Sequence, residues 1–171
     1  MFSHNTLGGL FSNKSDVLNK NSGNSSAYLY SKLYQLEDFR NSEGNFQFKL
    51  CYPKIVGIGG KSCNEWTQSS NPATSSTIMG FKSISLAFAK DSYNKDWKGL
   101  GLNLPKLQGS ALIDDTPIQG NWYSAIGAFR YWGGQNTIPG PRIEADSSKR
   151  PTTKVELFVL SKVTKINKFK S

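Results

Sequence analysis

Asp114 and Asp115 stand side by side ahead of a Thr116-Pro117 turn and are the densest acidic point in the basic half of the chain. Neighbouring carboxylates of this kind can hold a hard cation such as calcium, with Asn121 close enough in sequence to add an amide oxygen. The alternative is a turn cap, in which the aspartate side chains satisfy backbone N–H groups. A glycosidase needs two carboxylates facing each other with one pKa raised, and no spacing among the twelve acids points to such a pair.

Aromatic and polar groups gather a few residues later, from Asn121 to Trp132. A strand cannot bury every ring of Trp122, Tyr123, Tyr131 and Trp132 on one face, so some must lie at a strand end or on the surface. Exposed rings beside Arg130, Asp115 and Asn121 suit sugar recognition, the ring stacking on the flat face of a sugar while polar groups bond its hydroxyls. The same set stacks on nucleobases, or it fills a core with its indole N–H groups satisfied internally. The rigid loop Ile138-Pro139-Gly140-Pro141-Arg142 is able to carry Arg142 to the rim of such a site.

Two other segments invite chemistry. Residues 55–62 end in Gly60-Lys61-Ser62, as a phosphate-binding loop does, but Ile55 stands where that motif needs glycine, and Cys63-Asn64-Glu65-Trp66 reads as a strand rather than a helix. The segment is therefore expected to be a glycine-rich hairpin loop. Cys51 and Cys63 lie on its two arms, either bridged or as two separate buried thiols. Two Asn-x-Ser sequons, Asn13-Lys14-Ser15 and Asn24-Ser25-Ser26, are also present. With His4 the single histidine and Cys51 and Cys63 the only cysteines, an interior Ser-His-Asp or Cys-His arrangement and a multi-Cys/His zinc site are excluded.

The elements that must position these groups follow from composition and period. At 171 residues, 37% hydrophobic and 12% aromatic, the chain suits one domain with its own core. Residues 1–26 are rich in Ser, Asn and Gly and read as a flexible arm. From 27 to 40, Leu29, Leu33 and Leu36 recur at helical spacing, with Ser25 or Ser26 as cap, which predicts a leading amphipathic helix. After Gly44 the period becomes two: Phe46, Phe48, Leu50 and Tyr52 alternate with Gln47, Lys49 and Cys51. Further strands are expected at 64–68, 83–88, 99–104, 110–113, 122–129 and 154–161, the last covered on both faces. These predict an all-β chain, an antiparallel β-sandwich or jelly roll with one short N-terminal helix, spanning 27–161. Residues 162–171 form a basic tail.

The net charge is +9, and all of it falls after residue 44, because Lys14, Lys20, Lys32 and Arg40 balance Asp16, Glu37, Asp38 and Glu43. Such a body attracts polyanions in a salt-sensitive way. No apolar run is long enough to span a membrane, and the first residues lack the apolar core of a leader.

Several phrases taken together resemble a module of secreted and matrix proteins of aquatic invertebrates, where it sits beside fibrinogen-like or EGF-like segments. They are residues 44–53, Cys63 to Pro72, Ile113-Asp114-Asp115, Asn121 to Gly127, Ile138 to Pro141 and Val155-Glu156-Leu157. The resemblance runs from about Leu29 to Ser161 and implies an extracellular adhesive or matrix role with no catalytic residues to carry over.

The sequence thus leads to a secreted, lectin-like or matrix-adhesive binding module without enzymatic activity. It would recognise a glycan, an acidic polymer or an anionic mineral surface through Trp122, Tyr123, Arg130, Trp132, Arg142, Asp115 and Asn121. The competing expectations are a self-assembling scaffold of a skeletal or mineralised matrix and a basic pore-forming cytolysin whose N-terminal helix enters lipid. A specific nucleic-acid partner lacks a recognisable reading element.

Overall fold

The computed structural model describes residues 1–103, 111–117, 123–131, 135–142 and 151–160. In chain order the strands are β1 (Phe2–Asn5), β2 (Leu29–Ser31), β3 (Phe46–Cys51), β4 (Cys63–Gln68), β5 (Lys82–Leu86), β6 (Gly101–Leu102), β7 (Ala111–Asp114), β8 (Ile126–Ala128), β9 (Ile138–Pro139), β10 (Pro151–Thr152) and β11 (Lys154–Val159). One five-residue α-helix, α1 (Lys14–Leu18), occurs among the described residues. A six-stranded antiparallel sheet has the order β2-β1-β11-β3-β4-β5, a three-stranded sheet the order β6-β7-β8, and β9 pairs with β10. The fold is all-β and antiparallel, and its larger and smaller sheets share one apolar core.

The alternation in β3 decides which face that core occupies. Phe46, Phe48 and Leu50 are buried while Gln47 and Lys49 point outward, as a period of two requires. Opposite Phe48 lies Trp66 of β4, with ring centroids 5.2 Å apart, and Trp66 meets Trp97 edge to face at 4.6 Å. Val155 and Leu157 of β11 and Phe2 of β1 extend the same layer, which Leu112, Ile113 and Ile126 of the smaller sheet complete. Each such side chain contributes about 1.5–3 kcal/mol by leaving water. On the other face of β11, Phe158 is 43% exposed and Leu160 56%, so that strand is covered on one side rather than on both.

The first 26 residues are not a loose arm. Phe2 and His4 alternate with Ser3 and Asn5, and that short period of two places β1 inside the large sheet, between β2 and β11. His4 is fully buried, its Nε2–H donating to the Gly9 carbonyl at 2.9 Å. Phe11 and Val17 are buried too, and the Phe11 N–H bonds the Ala128 carbonyl. Helix α1 starts at Asn13, whose Oδ1 accepts the Asp16 N–H at 3.0 Å. It lowers Val17 onto Gly127, where the backbone has φ of +70° and an added Cβ would stand 2.2 Å from Val17 Cγ1. Only glycine meets both conditions.

The helix expected over 27–40 also takes another form. Residues 29–31 make β2, with Leu29 and Ser31 inward, and Leu33–Phe39 is a 3-10 helix in which Leu33 and Leu36, three apart, face the core. Lys32, which precedes it, supplies no side-chain cap. Spacings of three and four fit a strand followed by a 3-10 turn as well as they fit an α-helix, and pairing with β1 settled the choice. Other strands come out shorter than expected: 126–128 instead of 122–129, and 101–102 instead of 99–104. The tail 162–171 lies outside the described residues.

Residues 52–62 form the expected hairpin loop between β3 and β4, followed by strand rather than helix. Cys51 and Cys63 are directly opposite across the two strands, with Cα atoms 4.1 Å apart, and are joined by a disulfide. Closing a loop of this length stabilises by about 2–3 kcal/mol through the unfolded state. The double variant Cys51→Ser, Cys63→Ser is expected to lose that much in urea unfolding while its far-UV circular dichroism stays unchanged.

Candidate functional site

Three turns converge on one cavity of about 290 Å³, lined by residues 76–78, by Asp91, Lys95, Asp96 and Lys98, and by residues 115–117. This volume is at the lower end of the roughly 300–1,000 Å³ usual for small-molecule sites, enough for one small polar unit.

The turn at 89–97 is built by its own aspartate. Asp91 Oδ1 accepts the N–H groups of Tyr93 and Lys95 at 2.8 and 2.9 Å, and Asn94 takes φ of +65° to let the chain reverse. Lys90 and Asp96 close the outside of the turn with an ion pair at 2.8 Å, and the Trp97 N–H bonds the Ala89 carbonyl. Trp97 then plugs into the core against Trp66, so the turn hangs from a buried ring.

Asp114, the last residue of β7, is fully buried, and its Oδ1 accepts the Thr116 N–H at 2.9 Å. It is thus a turn cap, and among the described residues no three His, Cys, Asp or Glu side chains come together as a metal site. Asp115 lines the cavity and is buried. Its Oδ2 accepts from the Ser124 hydroxyl at 3.3 Å, while its Oδ1 is buried without a hydrogen-bond partner among the described residues. Ser124 adopts φ of +50°, a left-handed conformation that few residues with a side chain accept, and its N–H is held by the Gly140 carbonyl. A hydroxyl contact at 3.1 Å between Ser92 and Thr116 ties the second turn to the third, and Arg142 Nη1 donates to the Ser92 carbonyl at 2.9 Å.

The electrostatics follow from burial. Asp115 is pushed up to about 7, first by desolvation and then by the negative charge of Asp91, against the pull of the Ser124 and Thr116 hydroxyls. Asp114 is pushed up to about 8 by desolvation and then by Asp115, with the Thr116 N–H opposing. Burial, together with the charge of Asp115, also raises the Tyr52 phenol, which the Ser124 hydroxyl partly offsets. Tyr123 is raised by desolvation, with Arg142 lowering it and Asp115 adding to the rise. At neutral pH Asp115 is therefore divided between its protonated and ionised forms beside Thr116 on the cavity wall, and Lys95 and Lys98 are exposed on the same lining.

Of the residues singled out from the sequence, Asp115 lines this cavity, while Tyr123 and Arg142 are not part of its lining: Arg142 bonds the Ser92 carbonyl, and Tyr123 feels the charges of Arg142 and Asp115. Arg130 is exposed and does not line the cavity. Asn121, Trp122 and Trp132 lie outside the described residues. Asp91, Lys95, Asp96 and Lys98 were not foreseen, although the run Asp91-Ser92-Tyr93-Asn94 carries the composition of a tight turn.

No helix of the described residues is long and apolar enough to cross a membrane. Comparison with known proteins gives no match among family models, curated proteins or solved structures.

Proposed function

We propose that this chain is a non-enzymatic extracellular binding module that takes one hydroxyl-rich sugar unit of a glycan into the cavity between its three turns. The observation that carries the reading is Asp115: a carboxyl buried on the cavity wall, with one oxygen unpartnered and hydroxyls around it. An unsatisfied buried polar atom costs about 1–3 kcal/mol, and because this oxygen is closed off from solvent a ligand hydroxyl would offset that cost only by displacing the side chains over it. The thiols joined as a disulfide favour an oxidising compartment, and the surplus of positive charge favours an anionic glycan or matrix polymer.

A hydrolytic reading has less support. Asp91 Oδ1 is committed to two backbone N–H groups and Asp96 to Lys90, which leaves Asp115 without an evident opposing base. The cytolysin reading lacks its carrier, because α1 is five residues long and the 27–40 segment is built into the sheet and a 3-10 turn. The scaffold reading draws on β5, an edge strand whose Ile84 is 52% exposed.

A glycan array read at two salt concentrations tests the proposal. Retention of a defined glycan set is expected, with Asp115→Ala weakening it at least tenfold and Lys98→Ala, an exposed change, weakening it several-fold at unchanged Tm. No glycan retained at either salt concentration would sink the reading. Filaments or leaking liposomes in place of glycan retention would transfer support to the scaffold or the cytolysin.

A further inference from the structure

The Ser/Asn-rich segment 12–26 has no part in the cavity, yet it contains both Asn-x-Ser sequons of the chain. We infer that Asn13 and Asn24 are N-glycosylation sites, each carrying an oligosaccharide on its side-chain nitrogen.

Both asparagines are exposed, as are Ser15 and Ser26, the hydroxyl residues that the sequon requires. Each uses only its oxygen in the fold. Asn13 Oδ1 caps α1, and Asn24 Oδ1 accepts the Ser26 N–H at 3.1 Å in a turn that the Ala27 N–H closes onto the Asn24 carbonyl. Neither Nδ2 donates a hydrogen bond among the described residues. Asn21 and Asn71 differ: their Nδ2 groups donate to the Leu29 carbonyl and to Glu37 Oε1, so a substituent there would break a contact. An N-linked sugar leaves the amide oxygen in place. The helix cap at Asn13 and the turn at Asn24 therefore survive the modification.

The donor is an oligosaccharide on a polyprenyl diphosphate. The asparagine Nδ2 bonds to the anomeric carbon, the bond from that carbon to the diphosphate oxygen breaks, the polyprenyl diphosphate leaves, and one Nδ2 proton passes to a base of the transferase. The disulfide is a separate observation that suits passage through the compartment where this transfer takes place.

The test is secretion of the full chain from a eukaryotic host behind a host leader, followed by intact-mass and peptide-mass measurement before and after amidase deglycosylation. Two oligosaccharide masses are expected, with Asn13 and Asn24 each converted to aspartate by the amidase. Ser15→Ala and Ser26→Ala should each remove one oligosaccharide while preserving the cap and the turn, since both use the asparagine oxygen and backbone N–H groups. An unmodified asparagine in secreted protein whose Cys51–Cys63 bridge is intact overturns the assignment at that position. Glycan-array binding plays no part in this readout, so failure of the cavity reading leaves the inference standing.

Discussion

Between pH 5 and pH 8 the free energy of unfolding is expected to fall by roughly 3–6 kcal/mol, the reverse of the usual rise as carboxylates ionise. The cause is the pair Asp114 and Asp115, whose carboxyls are pushed from 3.8 up to about 8 and about 7 by burial in the folded chain. Above pH 3.8 the unfolded chain has released these protons while the folded chain still holds them. The folded state therefore binds more protons, and stability declines by up to about 1.4 kcal/mol per pH unit for each carboxyl until the folded pKa is passed. His4 acts in the opposite sense. Its burial lowers its pKa from 6.5, with the Gly9 carbonyl opposing, so below that value acid favours the unfolded chain, which accepts a proton that the folded chain refuses. The two effects leave a maximum on the acid side of neutrality. Urea unfolding at several pH values reads the profile, Asp114→Asn and Asp115→Asn should each flatten its alkaline limb, and a stability that climbs steadily to pH 8 would contradict the burial of these acids.

The second large effect concerns Gln68, a fully buried amide in β4. Its Oε1 accepts the Trp66 indole N–H at 2.8 Å and the Leu100 N–H at 3.2 Å, and its Nε2 donates to the carbonyls of Ser70 and Leu100 at 2.8 and 3.0 Å. Gln68→Ala would leave those groups buried and unpaired, at about 1–3 kcal/mol for each donor or acceptor that water cannot reach. A total loss of about 3–5 kcal/mol is expected in urea unfolding. The damage should also reach the cavity, because the contacts to Leu100 hold the end of the chain segment that carries Asp91, Lys95, Asp96 and Lys98. Amide exchange at Leu100 should quicken and glycan retention should fall more than in Lys98→Ala. A loss within 1 kcal/mol would show that water or a neighbouring side chain takes over these bonds.

How far the sequence could be read depended on whether a signal was local. β3 and β4 were legible because Phe46, Phe48 and Leu50 repeat with period two and the hairpin joins neighbouring segments. The cysteines on its arms were legible as a pair for the same reason. β1 was not, since only Phe2 and His4 mark its inner face and the partner that fixes it, β11, is far away in the chain. Leu29, Leu33 and Leu36 misled because their spacing carries no information about a sheet edge waiting to be extended. Of the residues that type alone singled out, Asp115 is the one that lines the cavity among the described residues. Asp91 and the lysines escaped because their meeting with Asp115 depends on where Trp97 anchors, a matter of tertiary packing. Gln68 looked like one more polar position on a strand until its inward direction was known.

The place of β11 in the large sheet has a consequence for how the molecule is made. Along the sheet, β1, with β2 beyond, touches one of its edges and β3, with β4 and β5 beyond, touches the other. On the ribosome both halves are synthesised well before the strand that couples them, and each spends that interval with a bare flank. The sheet becomes whole when this keystone slides into the gap, so a stop codon ahead of Lys154 would release two unjoined fragments of sheet on a single thread, ready to recruit strands from other chains.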